Sequence, residues 1–95
     1  MPTTAVHTLY TLNQPQQLAQ TQIHFAADDA LLLLEDAVLL LAQNDSLPAH
    51  IRCYALHADV VARAIKSDSN SAATLISYDE FVRLSLHYAR VIAWS

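Results

Sequence analysis

The chain has 95 residues, 54% of them apolar and only 15% charged, which is enough length for one domain and few charges to cover it. The net charge is −4, and Arg52, Arg63, Lys66, Arg83 and Arg90 form no run, so binding of nucleic acid by phosphate neutralisation is excluded. The absence of glycine excludes a P-loop, a dinucleotide fingerprint and a nucleophile elbow in their usual forms, since each needs Gly where the backbone turns tightly or meets a phosphate.

Residues 5–10 (A-V-H-T-L-Y) read as a strand, being β-branched and aromatic and ending before the turn-prone Asn13. Asn13 then caps a predicted helix with Pro15 in its first turn. Leu18, Thr21 or Gln22, and Phe25 supply its apolar side, and Asp28-Asp29 ends it. The continuous apolar run 30–34 reads as a strand covered on both faces, or as a buried helix segment. Asp36 caps a predicted helix over 37–43, followed by a turn cluster at 44–48. Residues 51–56 form the third strand and 57–66 the third helix, with Asp59 early and Lys66 late as the macrodipole favours. Either Val60 or Val61, with Ala64 and Ile65, faces the core. A polar loop spans 67–71.

Residues 73–77 make the fourth strand. Ser77 and Glu80 have the capping-box spacing for a helix carrying Phe81, Val82, Leu84 or Ser85, and Tyr88. Residues 91–94 read as a fifth strand. This alternation predicts an α/β fold with parallel strands and helices on both faces. No repeat or linker interrupts it, so residues 1–95 are expected to act as a single domain.

A chain this short buries only roughly 60–65% of its unfolded surface, so association with a partner is expected to supplement its stability. One cysteine leaves no intramolecular disulfide and no Cys-rich zinc cage, and suits a reducing compartment. Residues 1–14 show no basic n-region or long apolar run, and Glu35-Asp36 interrupt the apolar stretch 30–42. The expectation is a cytoplasmic protein without a membrane span.

Candidate chemistry is sparse. Cys53 is the sole thiol that could carry sulfur. It falls mid-strand, on the face shared with Ile51 and Ala55, where a buried and inert thiol is expected rather than a reactive thiolate. Glu35-Asp36 project apart, and no Lys follows the last strand as an acidic receiver pocket would want. A helix cap or an interface hydrogen bond is therefore expected of Asp36. No two of His7, His24, His50, His57 and His87 have i, i+4 metal-helix spacing, and no metal or cofactor is expected. His7 is a candidate polar contact in the sheet or at an interface. Trp94 suits either an interface hot spot or packing onto its own core.

In this order the segments resemble the TusB/DsrH family. Residues 6–9 (V-H-T-L) match its H-T-L, and residues 31–36 (L-L-L-L-E-D) match L-L-L-x-D-G. Residues 53–59 (C-Y-A-L-H-A-D), followed by Ala62-Arg63, match Y-A-L-x-x-D-x-x-A-R-G. Residues 77–84 (S-Y-D-E-F-V-R-L) are similar to D-Y-x-x-F-V-x-L, and Ala93-Trp94 match a terminal A-W. The resemblance implies a DsrEFH-like three-layer α/β/α sandwich with a mostly parallel sheet of about five strands. It implies partners as well: TusC-like and TusD-like chains in a heterohexamer, two copies of each. That complex passes persulfide sulfur toward 2-thiolation of the tRNA wobble uridine, with the transferring cysteine on the TusD-like chain.

The expected role is then a non-catalytic subunit, with His7, Asp36 and Trp94 as candidate partner contacts and no direct contact with nucleic acid. The alternatives are a persulfide carrier using Cys53, a DsrH-like subunit in sulfur oxidation, and a homo-oligomer. DsrH-like chains carry a cysteine on the first helix where Thr21 or Gln22 stands here, which favours the TusB-like role. The family's two glycines fall at Ala37 and at Ile65 or nearby, so those turns are expected to have negative φ or to be rebuilt.

Overall fold

The computed structural model describes residues 7–21, 24–42, 47–48, 50–65 and 73–94. Five strands form one sheet: β1 (Thr8–Leu12), β2 (Ala30–Leu33), β3 (Arg52–Leu56), β4 (Thr74–Ile76) and β5 (Arg90–Trp94). Their order is β4-β3-β2-β1-β5, and every pair is parallel. Connections β1→β2→β3→β4 march one way across the sheet, and the last returns to the far side of β1. Crossovers of one hand place the marching helices on one face and the returning helix on the other. The core divides accordingly.

One cluster holds Tyr10, Leu12, Leu31, Leu33, Cys53 and Ala55 from the sheet under Leu18 of α1 (Gln17–Thr21), Ala37, Val38 and Leu40 of a 3-10 helix (Glu35–Ala42) and Val60 of α2 (His57–Ala62). The other holds Leu9, Ala30, Leu32 and Ile76 under Phe81 and Leu84 of α3 (Tyr78–Ser85). The fold is a three-layer α/β/α sandwich. Every residue of β1 and β2 is buried, as the central place of these strands requires. The run 30–34 is therefore a strand rather than a helix segment. Among the described residues no helix is long and apolar enough to cross a membrane.

The first helix is shorter than predicted and differently capped. The side-chain oxygen of Gln17 accepts from the amides of Asn13 (3.0 Å) and Gln14 (3.2 Å), while Oδ1 of Asn13 is buried without a hydrogen-bond partner. Gln17 closes the turn that Asn13 was expected to cap, and helix begins only there. Phe25 lies beyond it, its ring 5.2 Å from that of Tyr10. The segment after β2 is 3-10 rather than α and starts two residues earlier than predicted. Glu35, at φ 49, turns the chain sharply off β2, and the amide of Ala37 bonds the carbonyl of Leu34 at 2.9 Å, an i→i+3 step. Eight residues is long for such a helix. Asp36 thus lies inside the first turn, not at its cap. β2 to β5 differ from prediction by one residue at their ends, whereas β1 starts three residues later and ends two residues later than predicted. Met1 to Val6, Gln22, Gln43, Lys66 and the loop 67–71 lie outside the described residues.

The end of α2 makes a left-handed turn without glycine. The amide of Ile65 bonds the carbonyl of Val60 (3.1 Å), and that of Ala64 bonds Val61 (3.0 Å). These are the two bonds of a Schellman motif, with Ile65 packed on the core that holds Val60. The motif needs a left-handed residue at Ala64, and Ala64 has φ 52. The positive φ falls at Ala64, beside Ile65, where the resemblance implied a glycine at Ile65 or nearby, and the turn keeps it with alanine in place. Ala37 behaves otherwise: it is fully buried in the 3-10 helix and its φ is not positive.

Candidate functional site

Cys53 lies near the start of β3, beside Leu31 of β2, on the face covered by three helices. The residue is 6% exposed, and its Sγ lies 3.7 Å from the carbonyl oxygen of Pro48 and 3.9 Å from that of Ile51. Burial pushes the thiol up to about 11 from 9.0. No cationic side chain offsets that burial. The result is a neutral thiol packed as a small hydrophobe, as the strand alternation anticipated.

The carboxyl ends of β2 and β3 carry a charged network. Nε of Arg63 donates to Oδ1 of Asp36 at 2.9 Å, and its Nη1 lies 3.7 Å from Oδ1 of Asp59. Oδ2 of Asp59 accepts the amide of Glu35 at 2.8 Å. Asp59 thereby holds the left-handed residue that starts the 3-10 helix, while Arg63 ties Asp36 to α2. Asp36, Asp59 and Arg63 are the charged residues of two motifs noted in the sequence. Their convergence was not foreseen, because it depends on the register of β2 against β3. With Asp36 61% and Arg63 28% exposed at the side chain, this is a structural clasp rather than a buried catalytic pair.

His7 sits at the opposite, amino end of the sheet. Its carbonyl accepts from the amides of Ala89 (3.0 Å) and Arg90 (3.4 Å), which brings β5 alongside β1. Nδ1 of the ring is 4.0 Å from Oδ2 of Asp28, too far for a hydrogen bond. A cavity of about 450 Å³ opens here, lined among others by Asp28, Arg52, Tyr54, His87 and Tyr88. Burial, then the neighbouring Tyr54, push the Tyr88 hydroxyl up, so it stays a neutral phenol. Behind it Asp29, 5% exposed, accepts the amide of Thr8 (3.0 Å) on one oxygen and that of Ala26 (2.9 Å) on the other. The sequence marked this aspartate only as a helix end.

Trp94 ends β5 next to Leu12. Its ring is half-buried on the first core cluster, 5.4 Å from that of His24, and its Nε1 donates to Oε1 of Gln20 at 3.4 Å. His7 and Trp94 therefore mark opposite ends of the sheet, Asp36 shares the carboxyl edge with Trp94, and Cys53 is sealed inside. Among the described residues no three His, Cys, Asp or Glu side chains are placed to hold a metal ion.

A chain of this length with a wholly parallel sheet and the clasp of Asp36, Asp59 and Arg63 can be set against known sequences. The model of the family described as DsrH like protein matches residues 13–91. The chain belongs to the DsrH-like family. Among its relatives is Protein TusB of Pectobacterium carotovorum subsp. carotovorum (strain PC1), 37% identical over 71 residues, which are 70% of this chain and 75% of the relative. Proteins of the same name from Salmonella arizonae and Salmonella newport match with the same identity and coverage. The DsrH-like match includes the clasp, α1 and α3, and stops three residues before Trp94.

Proposed function

We propose that this DsrH-like chain is a non-catalytic subunit of a cytoplasmic sulfur-relay complex. It assembles as one domain with TusC-like and TusD-like chains, two copies of each, and supports 2-thiolation of the tRNA wobble uridine. Its work is binding: apolar surface is covered and a partner's reactive cysteine is held in place. The observation that carries this reading is the state of Cys53. A sulfur carrier has to be reachable and partly ionised, whereas this thiol is 6% exposed and pushed up to about 11. The chain has no second cysteine to replace it.

His7, Asp36 and Trp94 are the proposed partner contacts. Trp94 lies on β5, a sheet edge with one side unpaired, which gives a partner both backbone groups and an aromatic anchor. The DsrH-like role in sulfur oxidation is the weaker reading. Of the two first-helix positions where a cysteine would serve it, Thr21 is fully buried and its hydroxyl donates to the carbonyl of Gln17 at 2.7 Å, and Gln22 lies outside the described residues.

The test is the native mass of the assembly after co-expression with TusC-like and TusD-like chains from the same source. A complex with two copies of each chain that still transfers sulfur with Cys53→Ala supports the subunit reading. A chain that stays apart sinks it. Loss of transfer in an intact Cys53→Ala complex would make Cys53 the carrier.

A further inference from the structure

The inner side of α3 is explained by the core: Phe81 and Leu84 pack on the sheet, with Tyr88 following. Its other side is also apolar. Tyr78, Val82 and Leu86 recur every fourth residue, and they are 64%, 45% and 80% exposed. Leu86 at the C-cap keeps helical dihedrals, φ −76 and ψ −16, so the three stand in one row along the helix. Single exposed apolar residues need no explanation, but an unbroken row on an eight-residue helix is a contact surface without its partner.

The charges beside the row identify that partner. Asp79 lies in the first turn and Arg83 one turn later on the same flank, and neither forms an ion pair with another described residue. Two such helices packed antiparallel about a twofold axis at Val82 would set Tyr78 against Leu86 of the second copy and Val82 against its own equivalent. In that arrangement like flanks face each other, so Asp79 meets Arg83 of the second copy, and the contact occurs twice. A parallel twofold pair would set this flank against the opposite flank of the second copy, so Asp79 and Arg83 would not meet. Antiparallel packing also opposes the two macrodipoles favourably.

We propose that α3 is a self-association surface on which two copies of this chain pair antiparallel through Tyr78, Val82 and Leu86, with reciprocal Asp79–Arg83 contacts. This pairing belongs to the chain's own surface and is tested without the relay partners.

The experiment is sedimentation equilibrium of the full chain at concentrations up to about 1 mM, because a contact smaller than a standard interface is weak. Wild type is expected to dimerise. Asp79→Arg alone and Arg83→Asp alone should each weaken association by roughly tenfold or more, since both reciprocal contacts become repulsive. An equimolar mixture of the two variants should restore it, because every contact then joins opposite charges. Leu86→Ser should abolish dimers while leaving the melting temperature nearly unchanged. A wild-type monomer at the highest concentration overturns the proposal, as do single swaps without effect or a mixture that fails to restore pairing. If the row is covered only when TusC-like or TusD-like chains are added, it belongs to a different partner and self-pairing is likewise wrong.

Discussion

Restoring the two glycines of the family pattern should change stability in opposite directions. Ala64 holds the left-handed position of a Schellman motif at φ 52. A residue with a Cβ is disfavoured there by roughly 1–2 kcal/mol. Glycine removes that penalty but brings extra unfolded-chain freedom of about 0.5–1 kcal/mol. The net expectation for Ala64→Gly is a gain of roughly 0.5–1 kcal/mol, about 2–8 °C in Tm for a domain of this size. Ala37→Gly has no such strain to relieve. The site is fully buried in the 3-10 helix, so glycine loses a packed methyl and adds chain entropy, a loss of about 1–2 kcal/mol. Glu35→Gly, at φ 49 and exposed, should resemble Ala64→Gly in sign. Reversible urea unfolding followed by far-UV circular dichroism measures all three. A destabilised Ala64→Gly, or the same sign at positions 37 and 64, would refute the argument from backbone geometry.

Four further outcomes follow from the contacts. Ser77→Ala should cost about 1 kcal/mol, because both bonds of the capping box are formed. Glu80 is held below 4.5, first by the Ser77 amide and then by its hydroxyl; a depressed carboxyl stabilises above its unfolded value and loses that contribution as pH falls through the folded value. Acid titration by circular dichroism should therefore show a steeper loss below pH 4.5 in wild type than in Ser77→Ala. Cys53 should resist a thiol reagent at pH 8 until urea unfolds the chain, and rapid native labelling would contradict its burial. Its raised value works in the alkaline direction: the stabilisation is complete below 9.0 and is lost as pH rises through about 11, as base titration would show. Asp59→Ala should cost about 1–2 kcal/mol, freeing the Glu35 amide and half the clasp, against at most about 1 kcal/mol for the exposed Asp36→Ala; equal losses by urea unfolding would contradict the arrangement. Asp29→Asn should cost roughly 1–3 kcal/mol by the same assay, because an amide can accept only one of the two backbone donors, the buried Thr8 amide and the part-buried Ala26 amide, and turns its NH₂ toward the other.

The strands were legible because length and periodicity act locally. Residues 30–34 are too short for a buried helix between turns, and the alternation of Arg52, Cys53, Tyr54 and Ala55 places Cys53 correctly on an inner face. The capping box at Ser77 was legible for the same reason, since both its partners lie within four residues. The 3-10 helix was not. Ala37, Val38, Leu40 and Leu41 satisfy an i+3 and an i+4 repeat equally well, and the choice was made by Glu35 leaving β2 with positive φ. The first helix was overextended because Asn13 before Pro15 has the form of a cap, whereas Gln17 reaches back to the amides of Asn13 and Gln14, a contact that composition does not reveal. The site was the least legible part. Asp36, Asp59 and Arg63 were each noticed, but three residues separated by two connections meet only once the sheet register is fixed. The row on α3 was not legible: Val82 was read together with Phe81, Leu84 or Ser85, and Tyr88, and a single helix pattern does not reveal two apolar sides.

The topology itself explains why this chain is left with surface to cover. Five strands spaced about 4.8 Å apart present a face roughly 20 Å wide, and one helix with its side chains covers about 10–12 Å of it. Three connections run in one direction and their helices close the first face. Only the return through α3 serves the second, so among the described residues about half of that face has no helix over it. Register puts Val91 and Ala93 of β5 on this side, beside Leu9 and Thr11, and both are exposed. The sole thiol lies on the closed face. The order of the strands thus separates the two: the covered side holds the thiol, and the other side carries the apolar row of α3 and the cavity beside Tyr54 and Tyr88.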